Sequence, residues 1–439
     1  MTTTTDTAAV EDVESFRTRA RAWLGETFAH TDSPDDPIGE RLRAEGRDDR
    51  APAERARMGQ RMLWEGGFAG ITYPVEYGGQ GLSAAHLHGF TAEARGYDLG
   101  GSGPLFAMTL GMMGPTLLEV GSDELKARYL PGMIRGDDLW VQFLSEPTGG
   151  SDLAGAVTRA TRDGDGYVVN GSKVWTSAAD YSDYGFCLAR TDWDVPKHRG
   201  LTMFVVPLRA PGLEVIPLRL VTGETGFCQE FFDNVVVPDA DVIGEVNDGW
   251  NVASRLLVHE RNAIAGGSDF HDMDTGGVRT DAPEVGGHRV VDLTALARER
   301  GLADDPHSRQ LVAEAHVLAT VNRQLASRLQ TATTLGVLPP AAGSLLKLFG
   351  STTHVRTSDI TMELAGSSAV VWPGDDRSAG LGIDFLFRQA LSILSGTSEI
   401  QRNIISERVL GLPREPAPDR DLPFREVRHN TMPNRSGSA

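Results

Sequence analysis

The chain has 439 residues, 40% hydrophobic and 23% charged, enough for a large core divided among two or three subdomains. A formal net charge of −18 argues against a nucleic-acid partner, because no global basic field exists to neutralise phosphates. Its two cysteines, Cys187 and Cys228, lack CxxC or CxxH neighbours, which argues against a cysteine-based metal site or a disulfide scaffold.

The first residues, MTTTTDTAAVEDVESF, lack the basic-then-apolar order of a secretory signal, and no apolar run reaches membrane-span length. A soluble, cytoplasmic protein with buried free thiols is expected. Residues 1–8 read as a polar tail. Val13, Phe16, Ala20, Trp23, Leu24 and Phe28 recur at helical spacing. Residues 31–51, rich in Asp, Pro and Arg, read as a mobile connection. A helix over residues 52–65 is stopped by Gly66-Gly67, and a turn-dense aromatic loop follows to Gly81. Ser83 and Ser122 are placed to cap helices running to about Tyr97 and Arg135, with a Met- and Gly-rich helix over residues 104–120 between them.

The texture changes at Leu139. Short β-branched or aromatic runs at residues 140–144, 156–160, 166–170, 173–175, 184–188, 201–206, 213–216 and 231–237 are separated by Gly, Asp and Pro turns, the mark of an antiparallel sandwich or barrel. Asp163-Gly164-Asp165-Gly166 reads as a hairpin turn. Helical periodicity returns over about 252–266. An aperiodic Gly/Asp-rich loop (267–287), two long helices (305–335 and 341–364) and a Gly/Pro/Asp loop to about Gly382 complete this region. The expected class is α+β: an N-terminal helical domain (1–136), a middle antiparallel β domain (137–246), a C-terminal helical bundle (247–415) and a disordered tail (416–439).

Four segments carry chemistry. Leu144-Ser-Glu-Pro-Thr-Gly-Gly-Ser-Asp152 crowds hydroxyls, acids and glycines at a strand end, suited to a polar heteroaromatic ring or a phosphate. Asn170-Gly-Ser-Lys-Val-Trp-Thr-Ser177 sets a Trp, good at packing a flat ring, beside two hydroxyls. Leu256-Leu-Val-His-Glu-Arg261 places Glu260 in an apolar helix, where a carboxylate needs a partner or a function. In Leu391–Glu415 an apolar run ends at Ser395-Gly396-Thr397, and Thr397 is placed as the N-cap of a helix. Ile400, Ile404, Ile405, Val409 and Leu410 then define a buried face. Such a loop-to-helix start offers free N–H groups to an anion or a developing oxyanion. Taken singly, each segment also has a plain structural account: a turn, a core Trp, a solvated face, a capped amphipathic helix. Other patterns fail. Gly166–Lys173 has its Lys one place late for a P-loop and sits in a hairpin, no GxGxxG opens a helix, and His86 and His88 face apart on theirs, so no metal site is expected.

Taken together and in this order, these segments resemble the acyl-CoA dehydrogenase family of flavoproteins. The resemblance runs from about Val13 to Glu415. It rests on residues 64–82, Ser145-Glu-Pro-x-x-Gly-Ser-Asp152, Lys173-x-Trp-Thr-Ser177, residues 232–238 followed by Gly244-x-x-x-x-Gly-Trp250, and Gly396-Thr-Ser-Glu-Ile-Gln-Arg402. It implies FAD held between the β domain and the C-terminal helical domain of a homotetramer or homodimer. It also implies an acyl-CoA or acyl-carrier thioester as substrate and an electron-transfer flavoprotein-like acceptor. By position, Leu144, Ser145, Gly150 and Ser151 line the flavin or thioester. Trp175 packs on the isoalloxazine, and Thr176 and Ser177 bond its edge. Thr397 and Glu399 reach the flavin from the C-terminal segment, and backbone near Glu363 to Ser367 meets a neighbouring subunit's FAD.

The chain departs from the family pattern twice. Many members carry a Glu immediately before the Gly-Thr as the base that removes the α-proton, and Ser395 stands there. A branch carries its base on the first helix after the β domain, where Glu260 falls, with Arg261 as a structural neighbour. An Arg-x-x-Phe motif common in relatives is replaced by a Gly/Asp-rich loop over 267–310. The expected reaction removes an α-proton to Glu260 and passes a β-hydride to flavin, giving a trans-2-enoyl-CoA, with amides around Ser395 on the thioester oxygen. The alternatives are a flavin oxidase or monooxygenase of the same fold on a non-CoA substrate, and a non-catalytic partner subunit of a heteromeric dehydrogenase.

Overall fold

The computed structural model describes residues 11–100, 103–264, 291–371 and 378–428. The polar tail at 1–8, the loop at 267–287, residues 372–377 of the loop before Gly382 and the end of the C-terminal tail lie outside the described residues. The rest falls into two units. One is drawn from Met1–Pro217, Phe227–Pro283 and Asp421–Ala439, the other from Leu218–Gly226 and Glu284–Arg420.

The first unit opens with α1 (Val13–Thr27), whose N-cap Asp12 accepts the Glu14 and Ser15 N–H groups, and which buries Phe16, Ala20 and Leu24 one turn apart. The stretch expected as a mobile connection contains α2 (Pro37–Ala44). Asp36 caps it, Pro37 presets its first turn, and Ile38 and Leu42 are buried, so two apolar anchors in a polar stretch sufficed. Helices α3 (Pro52–Glu65) and α4 (Ala84–Ala94) follow. Ser83 precedes α4, but its Oγ bonds His86 Nδ1 (2.8 Å) rather than a backbone N–H. The Met-rich stretch is α5 (Gly103–Met108), a π turn over Thr109–Met113, and α6 (Gly114–Val120). Then α7 (Asp123–Arg135) begins on the Ser122 cap and ends at Gly136, at φ +82°.

Eight strands form one sheet: β1 (Trp140–Phe143), β2 (Arg159–Asp163), β3 (Gly166–Ser177), β4 (Tyr184–Arg190), β5 (Leu201–Pro207), β6 (Leu213–Leu218), β7 (Phe227–Pro238) and β8 (Val242–Ile243). Their order is β6-β7-β3-β2-β4-β5-β8, with β1 joined to β4. Most neighbours are antiparallel, as expected, but β4 runs parallel to both β1 and β2. Hydrophobic alternation fixes a strand's faces and is silent on its neighbour's direction. The two runs at 166–170 and 173–175 are a single strand, β3, interrupted by pairing shifts at Asn170 and Trp175. Cys187 and Cys228 are buried and unpaired with each other, and burial pushes both thiols up to about 12.

The sheet separates two cores. Trp140 and Phe186 pack with the helices, while Val141, Phe143, Cys187 and Phe204 fill the other side. Helix α8 (Gly249–Ile264) buries Val252, Ala253 and Leu256 in the helical core together with Leu201 and Met203. The expected boundary at 247 assigned this helix to the C-terminal domain; its apolar face belongs to the first unit. A Cβ at Gly249 would lie 2.6 Å from the Thr202 backbone, so the glycine lets α8 start directly against β5.

Part of the expected disordered tail is also ordered here. The Phe424 ring is fully buried, its N–H donates to the Val195 carbonyl (2.9 Å), and the Arg190 guanidinium lies over it at 3.5 Å. One aromatic residue in a polar stretch thus docks the segment.

The second unit is helical: Leu293–Glu299, Pro306–Thr334, Gly343–Ala365, Ser378–Phe387 and Ser398–Ile404. Its core includes Leu293, Leu296, Leu311, Ile360, Leu364 and Leu381. The helix Leu293–Glu299, capped by Asp292, lies in a stretch read as loop, and Ser378–Phe387 begins before the expected loop end at Gly382. Both are only two to three turns long, too short to stand out as periodicity.

Candidate functional site

At the end of β1 the chain enters the Ser145–Asp152 loop, which is held by buried charge. Lys173 Nζ, fully buried on β3, donates to the Leu144 carbonyl (3.0 Å) and to Glu146 Oε1 (2.8 Å). The Glu146 carboxylate also accepts the Val157 (2.7 Å) and Thr158 (2.9 Å) N–H groups. Burial opposes its charge, but the Lys173 ammonium and these donors hold it below the usual carboxylate range. Val174 N–H donates to the Ser145 carbonyl (3.0 Å), tying loop to strand. Gly150 and Ser151 stand exposed on the far side of the turn. Behind the loop, Arg190 is fully buried and donates to the Ala154 (2.6 Å) and Ala156 (3.0 Å) carbonyls. Burial lowers its guanidinium to about 10.

Trp175 sits where the β3–β7 pairing slips between Val174 and Thr176, with φ at +69°. A left-handed Trp is uncommon, and here the slip turns its indole out of the sheet, 56% exposed, with its edge toward Phe227. Thr176 turns inward, and its hydroxyl donates to Glu230 Oε2 (2.8 Å). The Thr176 hydroxyl proton is thereby committed to Glu230. Glu230 is fully buried, its Oε1 has no hydrogen-bond partner among the described residues, and burial pushes its carboxyl up to about 7. Ser177 is half-buried at the end of β3, opposite Phe227.

Glu260, on α8, is 6% exposed. Its Oε2 accepts a hydrogen bond from Gln142 Nε2 on β1 at 2.9 Å. Two side chains of the same helix are engaged elsewhere: Arg255 Nη1 and His259 Nε2 both bind the Glu119 carboxylate, each at 3.0 Å. Loop 144–151, Trp175, Thr176, Ser177 and Glu260 all belong to the first unit.

The other candidates belong to the second unit. Ser395 and Gly396 are both left-handed, at φ +56° and +90°. Thr397 caps the helix Ser398–Ile404, its hydroxyl accepting the Ile400 N–H (3.3 Å). Gln401 is the buried residue of this helix, and its Nε2 donates to the Ser395 and Gly396 carbonyls, both at 3.1 Å. The expected apolar face is not buried here. Ile400, Ile404, Ile405 and Val409 are half-exposed and Leu410 is 66% exposed. The helix is one short run continued as a π turn over Ile405–Val409, which breaks the 3.6 period beyond Ile404. Glu399 is exposed beside Arg402 (3.4 Å). Glu363 is exposed and bonds His307 Nε2 (2.6 Å), and Ser367 lies in the exposed turn Gly366–Ala369.

Sequence reading passed over Gln142, Glu230 and the Glu146–Lys173 pair. Polar residues at inward positions of otherwise apolar strands were the available signal. Among the described residues, no group of three or more His, Cys, Asp or Glu is arranged to hold a metal, and no helix is long and apolar enough to cross a membrane.

Comparison with known proteins bears on this arrangement. Residues 12–137, 142–235 and 289–410 match the models of the N-terminal, middle and C-terminal domains of acyl-CoA dehydrogenases. The chain is 35% identical to the acyl-CoA dehydrogenase IpdE1 of Mycobacterium tuberculosis, over 92% of its own length and 99% of that protein. Among solved structures, a protein titled Tcur3481-Tcur3483 steroid ACAD aligns with a TM-score of 0.70 at 28% identity, covering 92% of this chain and 98% of that one. The ChsE4-ChsE5 complex of M. tuberculosis aligns with a TM-score of 0.65 at 29% identity, covering 93% and 100%.

Proposed function

The chain belongs to the acyl-CoA dehydrogenase family, and on that premise we propose that it oxidises an acyl-CoA thioester to the trans-2-enoyl-CoA, with Glu260 as the base and FAD as its cofactor. The observation that carries this reading is Glu260 itself: a 6%-exposed carboxylate whose hydrogen-bond partner is a neutral amide. An α-proton of a thioester is weakly acidic, so its removal needs a carboxylate kept out of water and not quenched by a cation. Ser395, whose hydroxyl is no base at neutral pH unaided, leaves that role open in the C-terminal segment. That segment holds the left-handed Ser395-Gly396 turn followed by a helix capped by Thr397.

The residues present fit a flat, polar ring system. Trp175 offers an exposed indole face, and the loop beside it presents Ser145, Gly150 and Ser151, with Leu144 at its root. Thr176 contributes no hydroxyl proton, because Glu230 holds it. FAD, when bound, supplies the hydride acceptor for the β-carbon. The neutral Gln142 amide engages Glu260 Oε2 and leaves Oε1 for the α-proton. Similarity to a steroid ACAD supports a bulky, ring-bearing acyl group on CoA or an acyl carrier, and an electron-transfer flavoprotein-like acceptor completes the cycle.

The test is the absorbance spectrum of the purified protein, followed anaerobically while straight-chain, branched, cyclohexane- and steroid-carboxylate CoA thioesters are added. A flavin spectrum bleached by one of them is expected. Glu260→Gln should retain the flavin and lose bleaching by at least roughly a thousandfold, the scale of a general base with its positioning. Full bleaching by Glu260→Gln would remove the base assignment. A second reading, a subunit of a heteromeric dehydrogenase, is favoured by Ser395 and by the similarity to the ChsE4-ChsE5 complex. Purification without flavin, restored only by a partner chain, would select it over a homotetramer or homodimer.

A further inference from the structure

Strand β1 carries one polar side chain among apolar ones. Trp140 and Gln142 share the face turned to the helices, while Val141 and Phe143 turn to the opposite core. A glutamine on such a face loses hydration at both ends of its amide, a loss recovered only by hydrogen bonds. Gln142 recovers it at one end, through Nε2 to Glu260 Oε2 (2.9 Å). Its Oε1 is buried with no hydrogen-bond partner among the described residues. A methionine or leucine would fill the same space with no unsatisfied atom. The amide is therefore accounted for by the carboxylate it holds rather than by packing. The nature of the donor matters as well. Arg or Lys at this place would pin the carboxylate as strongly but would drain its basicity, whereas a neutral N–H fixes one oxygen and leaves the other with free lone pairs. On the same helix, Arg255 and His259 both bind the Glu119 carboxylate.

We propose that Gln142 is the positioning residue of the catalytic base: its amide sets the rotamer of the Glu260 carboxylate so that Oε1 faces the substrate's α-carbon. This rests on the reading of Glu260 as the base. Gln142 takes and gives no proton. It fixes the acceptor at the geometry the transfer requires, and misplacement of a base by about an ångström slows proton transfer roughly a hundredfold.

The test is Gln142→Met, which keeps the volume and removes the donor, compared with Glu260→Gln and the double variant, all as purified full-length proteins. Infrared difference spectra between each protein and its Glu260→Gln counterpart isolate the Glu260 carboxylate band, with no substrate needed. That band should move in the Gln142→Met background. Anaerobic bleaching by the CoA thioester that reacts fastest with the unsubstituted protein should slow about 10- to 100-fold, with unchanged flavin content and an unchanged half-saturating concentration. An unmoved band, or a bleaching rate within about twofold of the unsubstituted protein while Glu260→Gln is inactive, overturns the role of Gln142 and leaves the base in place. Full activity of Glu260→Gln, or a flavin that no thioester bleaches, overturns the reading of Glu260 and the role of Gln142 with it.

Discussion

The stretches Leu144–Ser177 and Leu391–Leu412, one in each unit, both carry candidate site residues, and they are held by different means. In the first, buried charge dictates the backbone: Lys173 and Glu146 clamp the loop after β1, and Glu230 draws Thr176 inward so that Trp175 turns out. Each loop atom that matters is fixed by a partner in the same unit. In the second, the neutral Gln401 side chain bonds the carbonyls of two left-handed residues, Lys347 and Ser351 hold the Leu391 carbonyl, and the isoleucines remain half-exposed. A motif tied by desolvated ions is rigid and intolerant of single changes. A motif tied by neutral hydrogen bonds is marginal by itself and open to adjustment.

The largest effect should come from breaking the first stretch. Lys173→Met leaves the Glu146 carboxylate buried beside no cation, and removing one partner of such a pair typically costs about 3–5 kcal/mol. Urea denaturation should show a loss of that size, and limited proteolysis should cut between Ser145 and Val157. A stability loss below about 1 kcal/mol would put the clamp in the backbone bonds instead.

A pH series sharpens the same region. Burial raises the Glu230 carboxyl to about 7, above its ordinary value of 4.5. The folded state therefore binds the proton more tightly than the unfolded chain. Stability from this group is fully present below about pH 4.5 and is lost as pH rises through about 7. Glu230→Gln keeps an acceptor for Thr176 and removes the titration. Its unfolding free energy should pull ahead of the unsubstituted protein between those limits, by up to roughly 3 kcal/mol, and the gap should stay constant above them. A gap that does not change with pH would mean that Glu230 carries no titration in this range.

The smallest effect belongs to the second stretch. Thr397→Ala removes the cap on the Ile400 N–H and should cost about 1 kcal/mol. Amide exchange should show it as faster opening of residues 398–404, with no change at Lys173 or Trp175. Protection lost in both stretches together would erase the contrast between them.

Much of the fold could be read from the chain because it is written in local terms. Helices α1, α3 and α7 follow from caps, glycine stops and apolar spacing, and the long helices Pro306–Thr334 and Gly343–Ala365 from sustained periodicity. Elements of one or two turns, such as α2 and Leu293–Glu299, escaped because so few residues show no period. Ser83 illustrates the limit of a cap rule: its position is right, but His86 takes the hydroxyl.

What the sequence determined by itself was the helix–sheet–helix order and the residue types of the site, since motif spacing and residue chemistry are properties of the chain. Only the tertiary structure decided what each side chain faces. It turned Trp175 outward and Thr176 inward at one slip in strand pairing, set β4 parallel to two neighbours, and docked Phe424 beneath Arg190. It also brought Gln142 to Glu260 across 118 positions of chain. Contacts between residues so far apart follow from how strands and helices pack on one another, and no local spacing encodes them.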